Sequence, residues 1–115
     1  MSRHDDTVSM QHMLDHAREA LVMIQGKDRD DLDRERMLQL SLTRLIEIVG
    51  EAASRVSATT RQKHPEIHWF QIVGARNRLI HGYDLVDWDI LWDTVCEDLP
   101  PLVQAIENIL RTEGC

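Results

Sequence analysis

Within the stretch 30–57, Leu38, Leu42, Leu45, Val49, Ala52 and Val56 follow one another at spacings of 4, 3, 4, 3 and 4 residues. An α-helix turns once in about 3.6 residues, so this spacing draws one continuous apolar stripe that a partner must cover. A strand, with its period of two, would divide the same residues between opposite faces. A second stripe runs over roughly 7–26 through Met10, Leu14, Ala17, Leu21 and Ile24, spaced 4, 3, 4 and 3. Asp6 or Thr7 is suited to cap its start, and Gly26 marks its end. Gly50 sits inside the stronger stripe, where it costs roughly 1 kcal/mol against Ala. A close helix–helix approach at that point would account for it.

Thr59, Thr60 and Pro65 interrupt the pattern between 58 and 67 and predict a turn. A third helix is expected over 69–81, with Phe70, Val73 and Ile80 facing inward and Gly82 at its C-terminal end, followed by a loop over 82–86. Asp87 can cap a fourth helix whose apolar face is Trp88, Leu91, Trp92 and Val95. Pro100-Pro101 cannot continue that helix unkinked but suits the first turn of a fifth, over 101–112. No alternating strand pattern competes. Short connections favour antiparallel neighbours, so the expected fold is all-α: an up-down bundle of four to five helices forming one domain over 1–115.

A chain of 115 residues, 43% hydrophobic and 29% charged, can bury one core and is not composed like a disordered segment. Its net charge of −7 opposes non-specific attraction to nucleic acid or anionic membrane, so any RNA contact needs a local basic patch. Cys96 lies in a helical apolar pattern and reads as a small core residue, and Cys115 is the last residue; the two make no disulfide framework. Residues 1–6 open no apolar leader, and no window approaches the ~20 apolar residues of a membrane span. These features point to the cytoplasm.

Four groupings are candidates for chemistry. His12 and His16 share a helix face with Asp15 beside them, but a metal site needs a third protein ligand that the sequence does not supply. His64 and His68 have Pro65 between them, which favours loop or cap roles. Glu47 and Glu51 are four apart, flanked by Arg44 and Arg55 at ion-pairing positions, so they read as a solvated face unless a substrate lies between them.

The fourth grouping is Arg76-Asn77-Arg78-Leu79-Ile80-His81-Gly82-Tyr83. Arg is a permanently charged fork for phosphate oxygens, and His gives or takes a proton near neutral pH. Cleaving RNA without a metal needs both: proton transfer at the 2′-hydroxyl or leaving oxygen, and neutralisation of the five-coordinate phosphate. On one continuous helix Arg76 and His81 would diverge by about 140°, whereas Asn77 and His81 would share a face. Two copies about a two-fold axis would ease that divergence and supply a second histidine. Spacing alone is not decisive, since Arg61 and His68 satisfy a similarly loose rule. Tyr83, the single tyrosine, either packs its ring or offers an exposed hydroxyl.

In this context the chain resembles the HEPN superfamily, specifically its HepT-like toxin branch. The branch's R-x4-H-x-Y motif is matched by Arg76 through Tyr83. Val49-Gly50-Glu51-Ala52 is similar to a Gly-Glu-Ala stretch of the branch, and Trp88 to Asp93 leading into Leu99-Pro100-Pro101-Leu102 is similar to its last helices. The resemblance implies a homodimeric helical bundle acting as a metal-independent, cofactor-free RNA endonuclease. Arg76 and His81 would be its catalytic pair, with Asn77 the adjacent polar residue and Arg78 a weaker RNA contact. It further implies a minimal nucleotidyltransferase antitoxin as partner, which attaches AMP to Tyr83. The alternative is a non-catalytic dimeric module that binds, and is modified by, such a partner.

Overall fold

The computed structural model describes residues 3–81 and 85–113. Helix α1 spans Arg3–Met23 and buries Met10, Met13, Leu14, Ala17 and Ala20. The chain then turns through Gly26, whose φ of 75° is the left-handed conformation that glycine adopts without steric cost. The helix begins earlier than its apolar stripe suggests, so Asp6 is not its cap. Asp6 lies inside the first turns, 2% exposed, and accepts hydrogen bonds from the Ser57 amide at 2.9 Å, the Ser57 hydroxyl at 2.6 Å and the Thr60 hydroxyl at 2.5 Å. It holds together segments 51 and 54 residues apart.

The expected helix over 30–57 is two helices, α2 (Arg29–Arg34) and α3 (Arg36–Ser54), separated by an extended Glu35. Asp28 starts α2 with a reciprocal capping box to Asp31. The break is sustained by Gln39, whose buried amide donates to Leu32 O at 2.9 Å and so occupies a carbonyl that the interrupted helix leaves open. Helix α3 carries the apolar stripe as expected, with Leu38, Leu42, Leu45, Val49 and Ala52 buried. Ser57 then caps α4 (Ala58–Lys63), and Arg61 reaches back to donate to Ala53 O and Val56 O, each at 3.0 Å.

The third expected helix is also two: α5 (Trp69–Val73) and α6 (Ala75–Leu79), divided at Gly74. Its inward residues are Trp69, Ile72, Ala75 and Leu79. Phe70, expected in the core, is 92% exposed. Phe70 and Trp69 begin adjacent stripes of equal periodicity, and Trp69 takes the interior. Its Nε1 donates to His64 O at 3.0 Å and the Arg61 guanidinium lies 5.9 Å from its ring centroid, so its polar and apolar parts are both satisfied there. The helix ends at Leu79, short of the expected Gly82. Ile80–His81 (β1) pairs antiparallel with Leu85–Val86 (β2), Ile80 opposite Val86 and His81 opposite Leu85, a two-residue ladder that the sequence pattern did not announce.

Asp87 caps α7 (Trp88–Asp93) as expected, accepting from the Ile90 amide at 3.0 Å. Leu91 and Val95 are buried while Trp88 and Trp92 are half-buried. A π-helical turn over Thr94–Asp98 leads directly into α8 (Leu99–Glu113). Pro100 and Pro101 follow that turn at once, where the hydrogen-bond register changes between the π-helical and α-helical stretches. Helix α1 packs on α3 and α8, and α3 also carries α5 and α6, so the all-α helical bundle is as expected. Among the described residues no helix is long and apolar enough to cross a membrane.

Candidate active site

The site is built on α3 and the broken helix α5–α6. Gly50 is buried on the α3 stripe, and a Cβ there would stand 3.0 Å from Ile72 O and 3.5 Å from Val73 O. Glycine lets the two backbones come this close without displacing that oxygen, which is the approach that the glycine's position implied. One turn before Gly50, α3 presents Glu47; just past the break at Gly74, α6 presents Arg76. The two meet, with Arg76 Nε donating to Glu47 Oε2 at 2.9 Å. The Arg76 side chain is 56% exposed and that of Glu47 is 26% exposed.

An open cleft of about 410 Å³ lies over this contact, lined by Glu47, Gly50, Glu51, Ser54, Arg76 and Asn77 among others. Glu51 is engaged with Arg55 at 3.2 Å, the surface pair its spacing implied. Glu47 departs from that reading: its partner is Arg76, 29 residues away in sequence, and not a neighbour on its own helix. Arg78 folds back, its Nη1 donating to Gln71 O at 2.9 Å.

His81 continues the same segment, but its backbone is in β1, beyond the helix end at Leu79. Helical periodicity therefore governs neither of the expected angular relations. The 140° divergence from Arg76 and the shared face with Asn77 both presuppose a helix that has already ended. The His81 side chain, Gly82 and Tyr83 lie outside the described residues.

A family model described as "Ribonuclease HepT-like" matches residues 11–109. The chain belongs to the HepT-like ribonuclease family. It is similar to "Probable ribonuclease HepT" of Thermococcus cleftensis, with 33% identity over 102 residues, 85% of this chain and 93% of that one. It is also similar to "Putative RNase MJ1380" of Methanocaldococcus jannaschii, with 31% identity over 109 residues, 95% of this chain and 100% of that one. No solved structure matches it.

The other sequence candidates of this HepT-like chain have local roles. His16 Nδ1 donates to His12 O at 2.7 Å, with the two rings edge-on at 6.3 Å. Among the described residues no group of three or more potential metal ligands forms. His64 ends α4, its Nε2 lying 2.8 Å from Glu113 Oε2, and His68 is the residue preceding α5, so both hold the cap positions expected of them. Arg61, the arginine of the competing spacing, spends its guanidinium on backbone carbonyls and the Trp69 face. Cys96 is a half-buried free thiol, pushed up from its usual pKa by burial and then by Asp93 and Glu97. It is therefore a poor nucleophile.

Proposed function

We propose that this HepT-like chain is a metal-independent RNA endonuclease, the toxin of a toxin–antitoxin pair. The observation that carries the reading is an arginine held at the edge of an open cleft, on the segment that leads directly to His81. Arg76 neutralises charge on the phosphorane, and Asn77 adds a polar contact on the cleft wall. Arg78 is a weaker contact to the RNA backbone. His81 transfers the proton: the 2′-oxygen attacks phosphorus, the bond to the 5′-oxygen breaks, and the leaving oxygen is protonated. The products are a 2′,3′-cyclic phosphate and a 5′-hydroxyl. Deprotonation and protonation call for two groups, and a two-fold dimer of this chain provides two copies of His81 at one composite cleft. The partner is a minimal nucleotidyltransferase antitoxin: the Tyr83 oxygen attacks the α-phosphorus of ATP, pyrophosphate leaves, and the attached AMP blocks the cleft.

The test is RNA cleavage in EDTA by the wild type and by Arg76→Ala and His81→Ala. Each substitution is expected to lower the rate by a factor on the order of 10²–10⁴. Cleavage unchanged in both variants overturns the reading. The net charge of −7 favours a second reading, in which the chain is a non-catalytic dimeric module that a nucleotidyltransferase binds and modifies. Tight partner binding and an added AMP mass, with no RNA cleavage, would select it.

A further inference from the structure

We infer that Glu47 is the positioning residue for Arg76, turning its guanidinium so that the two terminal nitrogens face outward for a phosphate. This rests on the ribonuclease reading above.

A guanidinium offers donors on Nε and on two terminal nitrogens, in one rigid plane. Glu47 Oε2 takes the Nε donor at 2.9 Å. That single contact restrains the guanidinium while leaving both terminal nitrogens for a second anion. Glu47 is itself well fixed: it projects from a 19-residue helix, is only 26% exposed, and faces Arg76 across the close contact at Gly50. Glu51, also on the cleft wall, is committed to Arg55, so it does not share the task. The Arg76 side chain is more than half exposed, and a pair so open to water contributes little to stability. Its consequence is orientation: without it, a long flexible side chain at the cleft edge would sample many rotamers before meeting a phosphate.

A competing role would have Glu47 occupy the arginine until RNA displaces it. The geometry disfavours this, because the carboxylate and an end-on phosphate use different edges of the guanidinium. The two roles predict opposite kinetics. Positioning predicts that Glu47→Ala lowers kcat roughly 10- to 100-fold, in line with the penalty for small misplacements, with little change in KM. Glu47→Gln keeps an acceptor oxygen at the same reach and should restore most of kcat. Glu47→Asp, one methylene short, should not. Displacement predicts instead that Glu47→Ala and Glu47→Gln both lower KM at undiminished kcat, and that result overturns the inference, as does wild-type kcat in Glu47→Ala.

A second measurement does not depend on activity. In ¹⁵N-arginine NMR the Arg76 Nε–H should exchange slowly with water in the wild type and in Glu47→Gln, and quickly in Glu47→Ala. Equal exchange in all three overturns the positioning role. Slow exchange protected by Glu47, in a chain whose Arg76→Ala and His81→Ala variants both cleave RNA at the wild-type rate, would leave the contact standing and remove the ribonuclease reading.

Discussion

Gly50 of α3 and Ile72 of α5 meet backbone to backbone, so closely that a Cβ on Gly50 would come within 3.0 Å of the Ile72 carbonyl oxygen. That close approach is one of the contacts that hold α3 against the α5–α6 segment beside the cleft. It helps set the distance between the helix that carries Glu47 and the segment that carries Arg76.

Gly50→Ala is therefore expected to act against its own helix propensity. Alanine gains about 1 kcal/mol over glycine in a helix interior. Forcing a methyl against a backbone carbonyl costs about 1–3 kcal/mol, because the oxygen is not the mobile end of a side chain. The balance should be a loss of about 1 kcal/mol by urea denaturation. Protection of the Arg76 Nε–H should fall with it.

Acid should expose the role of Asp6. Burial alone would raise its pKa, but hydrogen bonds from the Ser57 and Thr60 hydroxyls and the Ser57 amide outweigh it, so the folded value lies below the ordinary 3.8. A depressed carboxylate contributes stability that is present above its unfolded value and lost as pH falls through the folded one. The stability that Asp6 contributes should fade as pH falls below about 4. Asp6→Asn should show a shallower acid limb in urea titrations at successive pH values. At neutral pH, Asp6→Ala should cost about 1–3 kcal/mol by leaving buried donors unpaired.

Phe70→Ser tests which aromatic stripe is interior. At 92% exposure the ring contributes little to the fold, so the change should stay within about 0.5 kcal/mol. Leu79→Ala, at a fully buried position, should cost about 2–5 kcal/mol. A large loss for Phe70→Ser in a dilute monomer would contradict the placement of that ring.

Cys96 should alkylate slowly. Its thiol is held protonated by burial and by Asp93 and Glu97. In a Cys115→Ser background, intact mass after iodoacetamide at neutral pH should show adduct forming several-fold more slowly than on an unstructured cysteine peptide. The rate should rise only at more alkaline pH.

Features that depend on neighbours along one element were legible in the sequence. These include the α3 stripe, the turn at Gly26, the Asp87 cap and the demand of Gly50 for a close approach. What failed to show depends on groups that meet only in the fold. The break at Glu35 is sustained by the Gln39 amide from the next helix. The choice between Trp69 and Phe70 turns on a carbonyl at His64 and a guanidinium at Arg61. Both stripes have the same period, so periodicity cannot separate them. Arg76 and Asn77, singled out by residue type, both line one cleft. Glu47 was read through its own helix neighbours, because spacing within a helix carries no information about a partner 29 residues away.

Helix α4 buries none of its residues. Its order is borrowed through polar ties: Asp6 from α1 at its first turn and Arg61 to the end of α3. With no apolar anchor, it should behave as a separate low-energy opening unit. Its amides should exchange with deuterium ahead of those of α3, and protonating Asp6 should release this one turn while the apolar core beneath it stays closed.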